Sequence, residues 1–293
     1  MANRRVLIKR RKAVRNIRKI TRTMQLIATS RFRAAMGRAT ASKPYTNKLA
    51  ELAADLTGAA GDVTHPLMQT HEDVPHSSLL VLTSMRGLCG GYNASVLRSA
   101  LAHLNEREKA DLTTDVHVVG MKGIAYFRFL RREMVQQTDD IDDRPKYEQV
   151  EPIADEMIRR FKAGEISSAH VSYMQFLSAG KQRPHVMQIL PLAPEAPEGE
   201  DTPAKGPSIE YEFSPAPEEI LNDLLPATVR VRLFQCFLDA AVSEQISRMV
   251  AMKAATDAAG DMIKLITRQY NRARQTAITM ELLDIVGGAN ALA

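Results

Sequence analysis

The stretch whose residue types could do chemistry is the loop from Arg86 to Asn93, RGLCGGYN. It follows Ser78–Ser84, an apolar run that predicts a buried strand, and it precedes a predicted helix that ends near Lys109 and that Asn93 is expected to cap. Strand, glycine loop and helix in this order can cradle a phosphate. The glycine spacing matches neither GxGxxG nor GxxxxGK[ST], the two common phosphate-binding motifs. In a dinucleotide-binding fold an acidic residue that binds the ribose would follow the next strand, but this sequence has GMKG there, at 120–123. Tight turns therefore account better for the glycines, with nucleotide binding as the alternative.

Cysteine and histidine are the other residue types with catalytic or metal-binding potential. Cys89 lies beside a helix start, where a thiolate can be stabilised, but no partner base is visible and a small packed residue is favoured. The histidines His65, His71 and His76 lie in a Gly- and Pro-containing break without zinc-ligand spacing, which indicates a surface loop. The second cysteine is distant, with no CxxC. We therefore predict no catalytic site, cofactor, metal or disulfide, and a reduced compartment.

Strands and helices alternate around this loop, between residues 76 and 192. Such alternation predicts an α/β domain with a parallel, mostly buried sheet and right-handed crossovers. The last two strands are expected to form a hairpin at one edge. After the first strand and helix, the predicted strands are Val116–Gly120, one near Met134, Ala169–Leu177 and His185–Leu190, and the predicted helices are Tyr126–Arg132 and Ile153–Lys162.

A segment rich in Pro, Glu and Gly follows the sheet, at residues 193–217. Its low apolar content predicts a linker or exposed loop. Within it, Ile209–Phe213 is expected to be a short edge strand or an exposed contact.

The C-terminal part, residues 218–293, predicts a coiled-coil helix. Its apolar positions alternate steps of three and four, the repeat that keeps one seam facing a partner helix. Globular core helices run about 8–20 residues, whereas this pattern runs for roughly 100 Å at 1.5 Å per residue. It extends upstream through Leu238, Val242 and Gln245. The seam positions are Met249, Met252, Thr256, Ala259, Ile263, Ile266, Tyr270, Ala273, Ala277 and Met280.

The N-terminal residues 1–58 predict a second long helix, with Pro44 as a possible bend. The predicted domain lies between the two stripes, so the simplest arrangement is an antiparallel pair of terminal helices. The predicted fold class is thus α/β plus a long antiparallel coiled coil. On this N-terminal helix the apolar positions are Leu7, Val14, Ile17, Ile20, Met24 and Ile27, of which Ile20 and Ile27 are expected to lie on the seam.

Charge narrows the functional classes. The first fifty residues contain many Arg and Lys and no acid, and a helix with one sign of charge indicates an acidic partner. Nucleic acid is one alternative, but there is no Trp and aromatic residues make up only 5% of the chain, which argues against a base-stacking surface. No apolar run approaches the ~20 residues of a membrane span, and no signal-peptide pattern opens the sequence.

The last twenty residues have a distinctive composition. No basic residue follows Arg274, and no charged side chain follows Asp284. A tail such as IVGGANALA suits a helix end that turns inside a narrow apolar sleeve. The polar residues before it, Arg268, Arg272 and Arg274 with Gln275, are expected to make breakable contacts with acids on that sleeve, since a charged hydrogen bond contributes about 1.5–3 kcal/mol.

Three runs of this sequence carry a family resemblance. They are IKRRKAVRNIRKITRTMQLIATSRFRAA near the start, RGLCGGYN in the middle and SRMVAMKAATDAAGDMIKLITRQYNRARQTAITMELLDIVGGANAL near the end. Together they resemble the gamma subunit of F-type ATP synthases. The resemblance implies paired terminal helices beside a Rossmann-like domain. It also implies a non-catalytic rotor shaft that transmits torque between the membrane c ring and the catalytic alpha/beta head, coupling ion flow to ATP synthesis.

The resemblance also implies partners and contact residues. The partners are the alpha and beta subunits, the epsilon subunit and the c ring, at the cytoplasmic face of a bacterial plasma membrane and without membrane insertion. Arg274 and Gln275, with Arg272 nearby, match residues that catch a beta-subunit loop, and Met24 and Arg86 match positions near an acidic lever of beta. Tyr211 and Glu212 match the segment that touches the c ring and epsilon. Two departures are Met85, where the family commonly has Asp, and the absence of the cysteine-bearing insert of chloroplast members.

Overall fold

The fold is described from a computed structural model that covers residues 4–59, 65–71, 73–192 and 217–292. Two helices dominate these residues: α1, Arg4–Ala59, and α5, Pro217–Leu292. The chain divides into two compact units, one formed by Met1–Ser30 with Arg248–Ala293 and the other by Arg31–Ser247. Both helices therefore contribute to both units, a division that the sequence pattern does not predict.

The first unit is an antiparallel pair of helices. The Arg11 guanidinium lies 5.2 Å from the centre of the Tyr270 ring, and the hydroxyls of Thr21 and Thr256 lie 2.8 Å apart. A position further along α1 thus meets a position earlier on α5, which makes the pair antiparallel. The apolar contacts of this unit join Leu7 and Val14 of α1 to residues of α5, namely Ala259, Ile263, Ile266, Tyr270 and Ala273.

Burial on α5 follows the three–four spacing. Met252 and Ile266 are buried, whereas Met249, Ile263 and Tyr270 are half-buried. The stripe fades at its far end, where Met280 is exposed. The partial burial of several seam residues is expected of a two-helix contact, because such a contact covers only one side of each of them.

The predicted seam on α1 requires correction. Ile20 and Ile27 are 59% and 50% exposed, so they lie outside the contact with α5. The stripe that is covered instead recurs every seven residues, at Leu7, Val14, Thr21 and Ala28. Arg11 and Arg18 occupy intervening positions, the second close to Gly260 of α5. Long arginine stems can cover apolar surface while their charged ends reach water, so this face does not look apolar in the sequence.

The second unit contains a five-stranded sheet in the order β3-β2-β1-β4-β5. The first four of these strands are parallel to their neighbours, and β5 closes the edge as the antiparallel partner of β4, as the predicted hairpin requires. The bounds are β1 His76–Leu82, β2 Thr113–Val119, β3 Gln136–Thr138, β4 Ser168–Ser178 and β5 Lys181–Leu190, with α2 Tyr92–Lys109, α3 Met121–Phe129 and α4 Tyr147–Lys162 between them.

The two faces of this sheet build two apolar clusters. Leu79 and Val81 of β1 pack with α2 and α3, whereas Leu80 and Leu82 of the same strand pack with α4 and α5. This alternation is the period of two of a strand buried on both faces. The α5 residues in the core run from Leu221 to Ala240.

Two prolines lie inside the long helices rather than at their ends. Pro44 is within α1, and Pro226 is within α5, so neither marks a helix start. The 193–217 linker, apart from Pro217, lies outside the described residues, as does Ile209–Phe213.

A cluster of basic side chains lies between α2 and β4, with His170 buried and His103 and Arg107 half-buried. The His103 and His170 rings are 4.6 Å apart, and Arg107 Nη2 lies 3.4 Å from His170 Nε2 while donating to Ser168 Oγ over 2.6 Å. Burial, together with charge repulsion from His103 and Arg107, lowers the pKa of His170 to about 3. The native fold therefore holds His170 neutral.

We predict that the second unit loses stability as pH falls below about 6.5, the ordinary pKa of histidine. Between that value and about 3, the unfolded chain takes up a proton at His170 that the folded chain refuses, so stability falls with falling pH by up to roughly 1.4 kcal/mol per pH unit. His170→Gln should flatten this slope in urea titrations at several pH values, whereas His76→Gln, at an exposed position, should not. Equal slopes in all three proteins would contradict the prediction.

We also predict that Ile266→Ala loosens the helix pair of the first unit by about 2–4 kcal/mol, because Ile266 is buried there. Ile17→Ala, at an exposed position on α1, should change stability by less than about 0.5 kcal/mol. Amide hydrogen exchange of residues 4–30 measures the difference. Similar protection in the two variants would show that Ile266 does not hold the pair together.

Candidate partner-binding surfaces

The glycine loop is fixed by its own side chains. Asn93 Oδ1 accepts from the Ser84 backbone N–H over 3.0 Å, and Asn93 Nδ2 donates to Ser84 Oγ over 2.8 Å. Ser84 Oγ in turn donates to the Arg86 carbonyl over 2.8 Å. Asn93 is therefore not the expected cap of α2, whose N-cap is Gly91. Its side chain instead bonds to Ser84 and so ties the start of the helix back to the end of β1.

The edge of the sheet where a nucleotide would bind is filled. In open α/β sheets, ligands bind outside the carboxyl ends of the strands. Here Phe237, Ala240 and Ala241 of α5 line the same space as Leu82 and Val119, the last residues of β1 and β2. What remains is a cavity of about 20 Å³, enough for one water molecule. Ligand pockets usually measure roughly 300–1,000 Å³.

The second glycine run, at 120–123, serves close packing. Thr83 Oγ1 accepts from the Gly123 N–H over 2.9 Å and donates to the Val119 carbonyl over 2.8 Å. Gly120 has a φ of +97°, and a Cβ there would lie 2.2 Å from the Thr83 carbonyl oxygen. These glycines let α3 start against the end of β1, which leaves no room for an acidic side chain.

The cysteines and histidines form no metal site among the residues that the structure covers. Both Cys89 and Cys236 are buried, and burial together with nearby Asp239 raises the pKa of Cys236 to about 12. His65 is buried rather than on the surface, and its Nδ1 accepts from the Leu67 N–H over 3.1 Å at a 3₁₀ turn. The histidine segment is thus partly anchored, which its composition does not indicate.

The end of α5 is an exposed apolar surface. Six large apolar side chains between residues 278 and 286 are 46–68% exposed. At 100° per residue they point in several directions around the helix, the pattern of a helix surrounded by other protein. The sequence pattern predicts a tail of small apolar residues and does not include these larger side chains. Their distribution around the helix could have been inferred from their spacing in the sequence. They are Ile278, Met280, Leu282, Leu283, Ile285 and Val286.

Hydroxyl groups on the same stretch are satisfied within the helix. Thr276 Oγ1 donates to the Arg272 carbonyl and Thr279 Oγ1 to the Gln275 carbonyl, each over 3.0 Å. The stretch before Gly287 therefore presents apolar side chains, while the hydroxyls of its two threonines are already hydrogen-bonded to the helix backbone.

The predicted head-contact residues lie in separate places. Arg272, Arg274 and Gln275 are exposed on α5, just before the apolar end. Met24 belongs to the same unit and is half-buried, but the Thr21–Thr256 pairing places it roughly 20 residues, or 30 Å, from Arg274 along the helices. Arg86 is exposed in the second unit. Tyr211 and Glu212 lie outside the described residues.

Comparisons with known proteins agree with this architecture. A family model described as ATP synthase matches residues 3–292. The ATP synthase gamma chain of Rhodopirellula baltica is 45% identical over 295 residues, covering 100% of this chain and 99% of the relative. That of Leptospira biflexa is 37% identical over 292 residues, covering 100% of both. The chain therefore belongs to the ATP synthase gamma chain family.

Solved structures share the fold. A chain from the Euglena gracilis mitochondrial ATP synthase, in its OSCP/F1/c-ring structure, has a TM-score of 0.68 at 17% identity, covering 99% of this chain and 94% of its own. A chain from the central stalk and c ring of the Tetrahymena thermophila enzyme has a TM-score of 0.57 at 20% identity, covering 80% and 99%. None of the described helices is long and apolar enough to span a membrane.

We predict that Gly123→Ala destabilises the second unit by about 1–3 kcal/mol through overpacking, because a Cβ there would lie 2.7 Å from both Thr83 Oγ1 and Val118 Cγ1. Gly180→Ala is the matched control, since a Cβ at Gly180 meets nothing within 4 Å. Urea titration of both variants measures the effect. Equal midpoints would mean that the close approach at Gly123 is not needed.

Proposed function

We propose that this chain is the central rotor shaft of an F-type ATP synthase, transmitting torque between the membrane c ring and the catalytic alpha/beta head. It is a non-catalytic subunit: the nucleotide chemistry belongs to the beta subunits. Membership of the gamma chain family supports this role, and so does the sheet edge, where α5 occupies the place of a ligand.

The observation that carries the proposal is the exposed apolar end of α5. Exposed apolar side chains on several sides of one helix are costly in water at about 25 cal/mol per Å² of apolar surface. They suit a helix end enclosed by a sleeve of apolar protein, which the ring of alpha and beta subunits would provide. Because the contact surrounds the helix, it need not favour a single orientation, as a rotating end requires.

Polar and basic residues outside the apolar end of α5 would supply the directional contacts with the head. Exposed Arg272 and Arg274 with Gln275 would meet acids of the head, and the acid-free first half of α1 would add a positive field. We assign Met24 and Arg86 to the same set of head contacts on the resemblance. Charged hydrogen bonds of about 1.5–3 kcal/mol define a resting angle and still break on rotation.

At the other end, we assign Tyr211 and Glu212 to contact with the c ring and the epsilon subunit. We further propose that the chain is a peripheral subunit, held by its partners at the cytoplasmic face of a bacterial plasma membrane. The assignment rests on the family pattern.

Co-purification tests the proposal. Expressed with its genomic alpha and beta subunits, the tagged chain should be recovered in a complex with one copy of this chain, and Leu283→Glu, which puts a charge on the apolar end, should reduce that recovery. Leu265→Glu, at an exposed position further back on α5, is the control. A chain that never co-purifies with alpha and beta, or that instead binds DNA tightly and with steep salt dependence, would refute the proposal.

We predict that Arg274→Ala lowers coupled ATP turnover of the assembled enzyme about tenfold or more, the effect of losing one charged hydrogen bond at a resting angle. The melting temperature of the isolated chain should not change, because Arg274 is exposed. Lys264→Ala, which removes a cation from the same helix, should leave turnover near wild type. Normal turnover in Arg274→Ala would remove this residue from the contact set.

A further inference from the structure

The loop that follows β3, residues 139–146, contacts both long helices through one residue. Arg31 Nη1 of α1 donates to Asp143 Oδ2 over 2.9 Å, and Gln245 Nε2 of α5 donates to the same oxygen over 3.1 Å. Arg38 Nη2, two turns further along α1, donates to the Asp143 carbonyl over 3.5 Å. We call Asp143 with these three donors the Asp143 clamp.

Burial gives the clamp its strength. The Asp143 side chain is only 9% exposed, so its carboxylate has exchanged water for a guanidinium and an amide. Charge-assisted hydrogen bonds are shorter and roughly twice as strong as neutral ones. Losing either donor would leave a largely buried charge with less compensation, which is costly.

Gln245 is explained by the same contact. It continues the stripe of Leu238 and Val242, where an apolar residue is expected, and it is only 1% exposed. A buried amide is unfavourable unless it is hydrogen-bonded. The bond to Asp143 satisfies the Nε2 of this polar residue, whereas its buried Oε1 has no hydrogen-bond partner among the described residues.

The other side of the loop is fixed to the sheet. Ile141, two residues before Asp143, is buried in the cluster formed by the sheet, α4 and α5. Arg31 is the first residue of the second unit, and Gln245 is two residues from its last, Ser247. The clamp therefore joins the sheet to both helices at the end of the second unit where they continue into the first.

We propose that Asp143 is a positioning residue that fixes both long helices to the sheet domain, so that a twisting load on the helices reaches the sheet without slippage. The proposal rests on the proposed rotor function. An apolar cluster that includes Ala39 of α1 and Val242 of α5 lies nearby, but apolar packing is non-directional. By contrast, Arg31 of α1 and Gln245 of α5 donate hydrogen bonds to the same oxygen of Asp143, and these directional bonds fix the position of one helix relative to the other.

Amide hydrogen exchange on the full chain tests the clamp itself. Asp143→Ala should speed exchange in residues 139–146 about ten- to hundredfold, the factor expected for loss of a charge-assisted hydrogen bond. Asp140→Asn removes the same charge from an exposed neighbour and should change nothing there. Should Asp143→Ala fail to fold, Asp143→Asn and Arg31→Gln keep most of the volume and are expected to show smaller increases in the same segment. Unchanged exchange in the variants would overturn the clamp.

Activity of the assembled complex tests its role. In vesicles, the ratio of ATP synthesis, driven by imposed proton and sodium gradients, to ATP hydrolysis should fall in Asp143→Ala and stay normal in Asp140→Asn. A variant whose loop opens while this ratio stays at the wild-type value would show that the clamp is only structural. If the wild-type chain supports no synthesis in the complete membrane-bound complex, the rotor function fails, whatever the exchange data show.

Discussion

Packing of α5 against successive partners is the interaction on which the rest of the structure depends. From Leu221 to Ala240 the helix is part of the core beneath the sheet. From Ala259 to Ala273 its seam pairs with α1, and from Ile278 its large apolar side chains are exposed. One continuous helix thus passes from a globular core to a two-helix contact to an uncovered end, and its residue types change with each environment.

The same helix converts a ligand-binding architecture into a structural one. A parallel sheet with a glycine loop after β1 would ordinarily leave a crevice at the strand ends. Phe237 and Ala241 line that space, and polar groups of the loop are hydrogen-bonded within the domain by Ser84 and Asn93. Thr83 and Gly123 complete the close packing of α3 against the end of β1.

Much of the fold could be predicted from spacing alone, because strand alternation and the three–four seam of α5 are strong periodic signals. The details that failed share a cause: polar residues in covered positions. Arg11 lies on the α1 face that packs against α5, so the apolar Ile20 and Ile27 misled the assignment. Gln245 and Asn93 likewise have roles set by distant partners, Asp143 and Ser84, which no local pattern reveals.

Both native thiols are enclosed, and this has a practical consequence. The chain has two cysteines, each buried, and Cys236 lies 3.8 Å from the Met187 sulfur with a strongly raised pKa of about 12. Since the thiolate is the nucleophile, neither residue should compete for maleimide dyes in the folded protein. A cysteine introduced at an exposed site such as Phe129 would accept a single fluorophore without prior removal of the native pair.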